Sequence, residues 1–150
     1  MREDFKNIEV GEVIKSTGFY FKEEIDISEI FKDFGKNHRR LRVFHEKGLA
    51  CSNPACNLIG TRLILSVDKC GGLHWDVYTD NLILINIDHI VAKNNGGNSY
   101  IKNLQPMCKF CNSMKGDKNI NNADLAKLLL NKLRSNKKQK HIHKIREIRE

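Results

Sequence analysis

Residues 87–116 read IDHIVAKNNGGNSYIKNLQPMCKFCNSMKG, and this stretch decides the prediction of the fold. The run NLILIN immediately before it is dense in Ile and Leu, which predicts a strand that ends near Asp88 and His89. Residues 93–98, KNNGGN, have the composition of a loop. Residues 107–116 are typical of a cysteine turn that continues into one or two helical turns and ends at its glycine. The stretch therefore predicts a strand, a loop and a short helix, in this order.

Asp88 and His89 are neighbours at the end of the predicted strand, so their side chains should point to opposite faces. One of them can bind a hard cation while the other handles a proton, since histidine titrates at about pH 6.5. A histidine at a strand end is also often an ordinary core or surface residue. We favour that interpretation for the other five histidines, which are His38, His45, His74, His141 and His143. For His89 the surrounding residues favour a place in a site.

The cysteines fall into two closely spaced pairs, Cys51 with Cys56 and Cys108 with Cys111, and Cys70 lies between the pairs. In a reducing compartment such pairs indicate a metal site rather than disulfides. Two short-spaced pairs can surround one tetrahedral zinc ion, whose role would be structural because four thiolates leave no position for water. The alternative is four unrelated buried or exposed thiols. We predict the zinc site, with Cys70 outside it.

The chain before the first cysteine pair is predicted to contain two helices. Ser28 is expected to begin the first helix and Gly35 to end it. Residues 36–47 are predicted to form the second helix, with Gly48 as its C-cap. Weak alternation in the first 25 residues is compatible with one or two short strands.

Apolar patterning predicts two further elements. RLILSV, residues 62–67, predicts a strand, and the segment CGGLHWDVYTDN after it carries Gly-Gly and Asp-Asn turn signals. Asn122 is predicted to cap a helix, and past Ser135 the chain is either a marginal basic helix or disordered until it binds a partner. The apolar face of that helix is expected to comprise Leu125, Leu128, Leu129 and Leu133.

The formal net charge is +8 at pH 7, and it is unevenly distributed. Residues 1–35 contain five Lys/Arg and nine Asp/Glu, residues 36–131 contain thirteen and seven, and residues 132–150 contain eight and two. A basic body with a basic tail suits a polyanionic partner, because each neutralised phosphate releases condensed counterions. The same distribution also fits a solvated surface that only aids solubility.

The size and hydropathy of the chain suit one compact domain. Its 150 residues are 40% hydrophobic, which allows a core of modest size. No apolar run approaches the roughly 20 residues that span a bilayer, and the N-terminus lacks the layout of a secretory signal. We therefore expect a cytoplasmic protein with no membrane partner.

Taken together, residues 38–118 resemble the HNH endonuclease family. Residues 87–116 carry Asp-His-Ile, a Gly-Gly loop, Asn-Leu-x-x-x-Cys and Cys-Asn-x-x-Lys-Gly in the family's order. FHEKGLACSNPAC is similar to the family's first zinc knuckle, and HWDVYTDNLILINIDHI is similar to its lead-in hairpin. Two features depart from the pattern. The first knuckle is longer than the commonest form, and Val91-Ala92 stands where a proline usually follows Asp-His-Ile.

The resemblance implies a ββα-metal motif and a role for four of its residues. His89 would be the general base, and Asp88 would be a metal ligand. Asn103 would pin the intervening loop, and Asn112 would be the second ligand, where many relatives have histidine. The motif is therefore an H-N-N variant. Because asparagine offers an oxygen, the implied catalytic cation is Mg²⁺ or Mn²⁺.

We accordingly expect an α+β fold, a small zinc-stabilised domain with a ββα-metal core flanked by helices. Its expected divisions are an N-terminal accessory segment at 1–35, the HNH nuclease domain at 36–118 and a basic C-terminal helix or tail at 119–150. The cofactors expected are a structural Zn²⁺ on the four paired cysteines and a catalytic Mg²⁺ or Mn²⁺.

The predicted function is an endonuclease that hydrolyses phosphodiester bonds in DNA with a single divalent cation and a histidine general base. Lys115 is expected to contact a flanking phosphate, or else to be a solvated lysine at a helix end. The tail residues expected to contact DNA are Lys137, Lys138, Lys140, Lys144, Arg146 and Arg149. Because small nucleases of this kind often cut both strands as dimers, a homodimer is one expected assembly. Two alternatives stay open: a non-catalytic zinc-knuckle module that binds nucleic acid, and a zinc-stabilised interaction protein.

Overall fold

The computed structural model describes the backbone of residues 18–147 and the side chains of residues 18–137. Five strands form one antiparallel sheet, in which each strand pairs with its neighbours in the sequence. The strands are β1 (Tyr20–Ile25), β2 (Arg62–Val67), β3 (Leu73–Tyr78), β4 (Leu84–His89) and β5 (Leu104–Cys108). The helices are α1 (Asp33–Asn37), α2 (Arg42–Lys47), α3 (Lys109–Lys115) and α4 (Asn122–Glu147), and a 3₁₀ helix spans Ile27–Phe31. The predicted α+β class is confirmed.

The last two strands and the helix after them form a ββα unit. Strands β4 and β5 pair in antiparallel register, with Asp88 opposite Gln105 and His89 opposite Leu104. Helix α3 begins directly after β5, at the second cysteine pair, and ends before Gly116. The loop of residues 90–103 joins the two strands and contains two short 3₁₀ turns. The ββα core expected from the resemblance is therefore present.

The single helix predicted for residues 36–47 is wrong, because the chain turns at residues 38–41 and splits it into α1 and α2. His38 has an extended backbone, with φ of −88° and ψ of 115°. Its ring Nδ1 accepts a hydrogen bond from the backbone N–H of Leu41, at 3.4 Å. This side chain offers the backbone an alternative to a continued helix. Gly48 follows α2 as the predicted C-cap.

Gly35 does not end a helix as predicted, because it lies inside α1 and is buried. A Cβ atom at this position would lie 1.9 Å from the backbone oxygen of Ile30. The glycine is needed for the close approach of two backbone segments rather than for a helix end. The helical segment before it is a 3₁₀ turn capped by Asp26, whose carboxylate accepts from the N–H of Ser28 at 2.7 Å. This turn begins at Ile27, one residue before the predicted Ser28.

The strand predicted at residues 62–67 is confirmed as β2. Strand β4 is also confirmed, but it begins only at Leu84, after a turn in which Leu82 has a φ of 57°. Strand β3 was not predicted from apolar patterning, because LHWDVY mixes polar and apolar residues between two turn signals. It pairs with β2 along its whole length. It also pairs with β4, at Val77 with Ile85 and Tyr78 with Leu84, which forms the lead-in hairpin that the resemblance implies.

The main core combines residues of the sheet with residues of the helices, and it includes three of the four paired cysteines. Its buried members are Ile30, Leu41, Phe44, Cys51, Leu63, Val77, Ile85, Met107, Cys108, Cys111 and Leu125. On the other face of the sheet, Ile64 and Tyr78 form a smaller cluster. The described part of the N-terminal segment belongs to this structure, since β1 pairs with β2 and Ile30 is 0% exposed.

Helix α4 begins at Asn122, but its capping residue is Asn121, whose side-chain oxygen accepts from the N–H of Asp124 at 2.9 Å. The predicted cap at Asn122 is therefore wrong by one residue. Of the expected apolar face only Leu125 is fully buried, and Leu128 and Leu133 are exposed. The helix docks through its first turns and extends away from the core. The first 17 residues, the last three residues and the side chains of 138–147 lie outside the described structure.

Candidate active site and metal centre

Four cysteine sulfurs lie within 4.8 Å of one another. Cys51 and Cys56 come from the turn before β2, while Cys108 ends β5 and Cys111 lies in the first turn of α3. The turn is tied to β5, because the N–H of Ser52 donates to the carbonyl oxygen of Pro106 at 2.9 Å. The predicted grouping of the two pairs is confirmed, and Cys70 is exposed and separate. The four thiols can bind one metal ion.

The spacing and the partners of these sulfurs suit a tetrahedral ion. Zinc–sulfur bonds of about 2.3 Å place two ligand sulfurs about 3.8 Å apart, and the sulfurs of Cys56 and Cys108 are 3.8 Å apart. The N–H of Cys108 donates to the sulfur of Cys51 at 3.3 Å, and the N–H of Cys111 donates to that of Cys108 at 3.4 Å. Such donors stabilise thiolates, which are the ligand form.

Asn53 belongs to this centre although the sequence suggested only a turn residue. Its side chain is 0% exposed, and its amide nitrogen donates to the sulfur of Cys111 at 3.3 Å. The same side chain accepts from the N–H of Ala55 at 3.0 Å, which shapes the turn. Burial raises the pKa of the Cys111 thiol to about 12, because a thiolate there is desolvated beside other sulfurs. A bound divalent cation would reverse that preference.

Asp88 lies at the end of β4 with 7% of its surface exposed. Its carboxylate oxygens accept hydrogen bonds from the Lys115 ammonium at 2.8 and 3.1 Å. One of these oxygens also accepts from the Gln105 side-chain amide at 2.8 Å. Gln105 in turn accepts from the Asn122 amide at 2.9 Å, which joins α4 to the network. The sequence assigned no role to Gln105 and only a helix cap to Asn122, although a polar residue within an apolar strand such as β5 is a signal for a role.

Lys115 is buried, with 1% of its surface exposed. Besides the two contacts to Asp88, its ammonium donates to the backbone carbonyl of His89 at 2.5 Å. The prediction that Lys115 is a solvated lysine at a helix end is therefore wrong. The expected phosphate contact is corrected too, because the ammonium faces a buried carboxylate rather than the protein surface. The physical reason is that a buried carboxylate requires a nearby opposite charge.

His89 is half-buried, and its Nε2 atom lies 3.2 Å from the hydroxyl oxygen of Ser99. Asp88, His89 and Asn112 line one cavity of about 310 Å³, although Asn112 is contributed by α3 rather than by the strand. Other residues that line this cavity include Lys93, Asn94 and Asp117. Among the described residues, the Asn112 side chain has no hydrogen-bond partner. The fold thus brings together at this cavity three of the four residues to which the resemblance assigns a role.

Asn103 fixes the loop between β4 and β5. Its side-chain oxygen accepts from the N–H of Val91 at 2.9 Å, and its amide nitrogen donates to the carbonyl oxygen of Val91 at 3.1 Å. The same nitrogen donates to the carbonyl of Asn98 at 2.7 Å. The loop is tight, since a Cβ atom at Gly97 would lie 1.8 Å from the Val91 oxygen. Asn103 therefore contacts the loop backbone and does not line the cavity of Asp88 and His89.

The basic tail is only partly described. Lys137 lies in α4 and is exposed. The side chains of Lys138, Lys140, Lys144 and Arg146, and the whole of Arg149, lie outside the described residues. Their contacts to DNA remain a sequence prediction. Within the described residues, no helix has the length and apolarity that crossing a membrane requires.

Comparison with family models identifies one match, which is described as HNH endonuclease and covers residues 76–118. The matched segment is less than a third of the chain. It includes Asp88, His89, Asn103 and Asn112, as well as the second cysteine pair, but not the first. Comparison with curated proteins finds no significant match, and comparison with solved structures finds none either. Residues 76–118 are therefore similar to the HNH endonuclease family, and this similarity suggests a nuclease-type function.

Proposed function

We propose that this protein is a metal-dependent endonuclease that hydrolyses phosphodiester bonds in DNA, with His89 as the general base. The observation that supports this most directly is that Asp88, His89 and Asn112 line a single cavity. A carboxylate, an amide and an imidazole around one space are the groups that metal-assisted hydrolysis requires. The family match over the same residues supports the same conclusion.

Asp88 and Asn112 are the proposed ligands of a single Mg²⁺ or Mn²⁺ ion. A carboxylate has about four lone-pair positions, and Asp88 uses three of them for Lys115 and Gln105. One position is left for a cation, and the Asn112 oxygen supplies a second ligand atom. Bound there, the cation would offset the negative charge of the scissile phosphate and of the departing oxygen. Two protein oxygens leave room for the waters that Mg²⁺ usually keeps.

His89 is proposed to take a proton from the attacking water. The water oxygen forms the new bond to phosphorus, while the bond from phosphorus to the 3′-oxygen breaks and that oxygen takes a proton from solvent. The products would carry 5′-phosphate and 3′-hydroxyl ends. The Ser99 hydroxyl, 3.2 Å from Nε2, would hold the ring in one orientation and favour one tautomer. Asn103 is proposed to act through the loop that carries Ser99, since it bonds to Asn98 next to it.

The cysteine centre is proposed to bind Zn²⁺ as a structural ion. Its four sulfurs offer no open position for water, and three of its cysteines are buried in the main core. The centre also joins the first cysteine turn to β5 and to α3, and α3 carries Asn112. Zinc would therefore support the catalytic cavity without taking part in the reaction.

One observation favours the alternative function, a non-catalytic zinc-knuckle module that binds nucleic acid. The Lys115 ammonium already neutralises Asp88, so the carboxylate is satisfied without a metal ion. The two functions differ in whether the chain cleaves DNA at all. The position left on Asp88 and the unpaired Asn112 amide support the enzyme.

The test is a nicking assay on supercoiled plasmid in Mg²⁺, in Mn²⁺ and in EDTA. We expect relaxed and linear products with either cation and none in EDTA, and cleavage should return when excess Mg²⁺ is added. Zinc content and circular dichroism after EDTA treatment serve as controls, because loss of the structural ion would also stop cleavage. Intact plasmid with both cations, from folded protein that binds DNA, would establish the binding module instead.

A further inference from the structure

A basic cleft of about 930 Å³ lies beside the catalytic cavity. One wall is formed by the turn between α1 and α2, and the other by the loop between β4 and β5. Five cationic residues line the cleft, and no carboxylate lines it: Lys36, Arg39, Arg40, Arg42 and Lys93. The residues that line it also include the apolar Ile87 and Leu104. A cleft lined by cations and by apolar side chains suits an extended polyanion that also has apolar or planar groups, such as nucleic-acid bases.

The cleft and the catalytic cavity share a boundary. Ile87, His89 and Lys93 line both spaces. A chain that lies in the cleft therefore passes His89, which also lines the cavity of the proposed cation site. This is the relation that a general base needs, because it must reach the water beside a phosphate that the protein already holds.

The five cations differ in how much of their charge is already used. Arg40 pairs with the buried Asp76 carboxylate at 2.7 Å, and Arg42 pairs with Glu46 at 3.0 Å. Among the described residues, Lys36, Arg39 and Lys93 have no carboxylate within 4.0 Å, and all three are exposed. The Arg40 pair attaches the turn to β3 and so fixes the wall. The other three cations remain available to bind phosphate.

We propose that Lys36, Arg39 and Lys93 bind the phosphodiester backbone of the DNA substrate and lead it past His89. This inference rests on the proposed nuclease function and adds the substrate path to it. Lys36 and Arg39 lie outside the segment that matches the HNH family, and the sequence alone pointed to the tail instead. The proposed contacts are to the phosphodiester backbone of the DNA. They would therefore fix the position of the DNA in the cleft rather than recognise its base sequence.

The experiment compares two triple variants of the full-length chain that remove the same charge. The cleft variant is Lys36→Gln/Arg39→Gln/Lys93→Gln, and the control is Lys22→Gln/Lys47→Gln/Lys69→Gln, which removes exposed lysines that do not line the cleft. DNA binding is measured by fluorescence anisotropy on a labelled duplex over a salt series. Nicking is measured in parallel, and circular dichroism checks that both variants fold.

The slope of log K against log salt should decrease in magnitude by about 2–3 for the cleft variant, since each phosphate contact contributes about 0.9. The control should keep the wild-type slope. Equal slopes in the two variants would contradict the proposal that the cleft binds DNA, even if the wild-type protein cleaves plasmid. A reduced slope in the cleft variant alone would support it, even if no protein cleaves. Absence of DNA binding by the wild-type protein would overturn both proposals.

Discussion

At the scale of single residues, the buried ion pair of Asp88 and Lys115 fixes a carboxylate that lines the proposed catalytic cavity. Both side chains are almost fully buried, and their nearest charged atoms are 2.8 Å apart. A carboxylate in such a place is tolerated only when it is paired and fully hydrogen-bonded, and Lys115 and Gln105 meet this requirement. The pair therefore holds the Asp88 carboxylate in one orientation beside the cavity that it lines.

Replacement of Lys115 by Met should destabilise the protein by about 3–5 kcal/mol, because it leaves the Asp88 carboxylate buried without its partner. Methionine keeps most of the side-chain volume, so the effect reports on charge rather than on packing. The free energy of unfolding is measured by urea denaturation.

Lys118→Met is the matched control for that substitution. Lys118 is exposed, and its ammonium only donates to the Met114 carbonyl at 3.3 Å. We expect a change within about 0.5 kcal/mol there. If Lys115→Met is as stable as Lys118→Met, the buried pair does not contribute as described.

At the scale of structural elements, the corner between β5 and α3 supports both sites. Cys108 ends the strand and Cys111 lies in the first turn of the helix, while Asn112, the next residue, lines the catalytic cavity. A metal ion on the cysteines would fix this corner and with it the position of Asn112. The cysteine centre and the ββα unit therefore act as one structural element.

Cys108→Ser should lower the zinc content from about one ion per chain toward zero. It should also lower the Tm by about 10 °C or more, because one kcal/mol shifts the Tm of a domain of this size by about 2–4 °C and a structural ion contributes several. Zinc is measured by elemental analysis and the Tm by calorimetry. Cys70→Ser is the control, because Cys70 is exposed and outside the centre. Folded wild-type protein without zinc would contradict the proposal.

Elements with a strong local signal could be predicted from the sequence. Strand β2 and the end of β4 follow from their apolar runs, and α3 follows from the cysteine turn and Gly116. Strand β3 could not be predicted from its residues, since its stability comes from pairing with β2 rather than from its composition. The break between α1 and α2 depends on the His38 ring and Leu41, which local periodicity does not reveal.

In the candidate site, too, residues in short motifs could be predicted from the sequence, whereas residues whose role depends on contacts distant along the chain could not. Asp88, His89, Asn112 and the cysteine pairs stand in motifs whose spacing is visible in the sequence. The burial of Lys115 could not be predicted, because Asp88 is distant along the chain and a lysine before a helix-ending glycine is usually solvated. Asn53 resembled an ordinary turn residue until the fold placed it beside Cys111.

At the scale of the whole molecule, two spaces meet at one histidine. The cavity is lined by Asp88 and Asn112, the proposed cation ligands, and the cleft is lined by three cations that have no carboxylate partner among the described residues. His89 lines both spaces, so the proposed account assigns metal binding, proton transfer and DNA binding to adjacent parts of one surface. Removal of the imidazole should therefore separate cleavage from binding.

The most direct test measures the nicking rate and the DNA affinity of His89→Ala side by side. We expect the rate to fall by about 10²- to 10⁴-fold, the usual contribution of a general base, with the affinity nearly unchanged. His74→Ala, which removes a histidine paired with Asp68 outside both spaces, should keep the wild-type rate and affinity. A wild-type nicking rate in His89→Ala would contradict the assignment of the general base, and a loss of rate that merely follows a loss of binding would make His89 part of the scaffold.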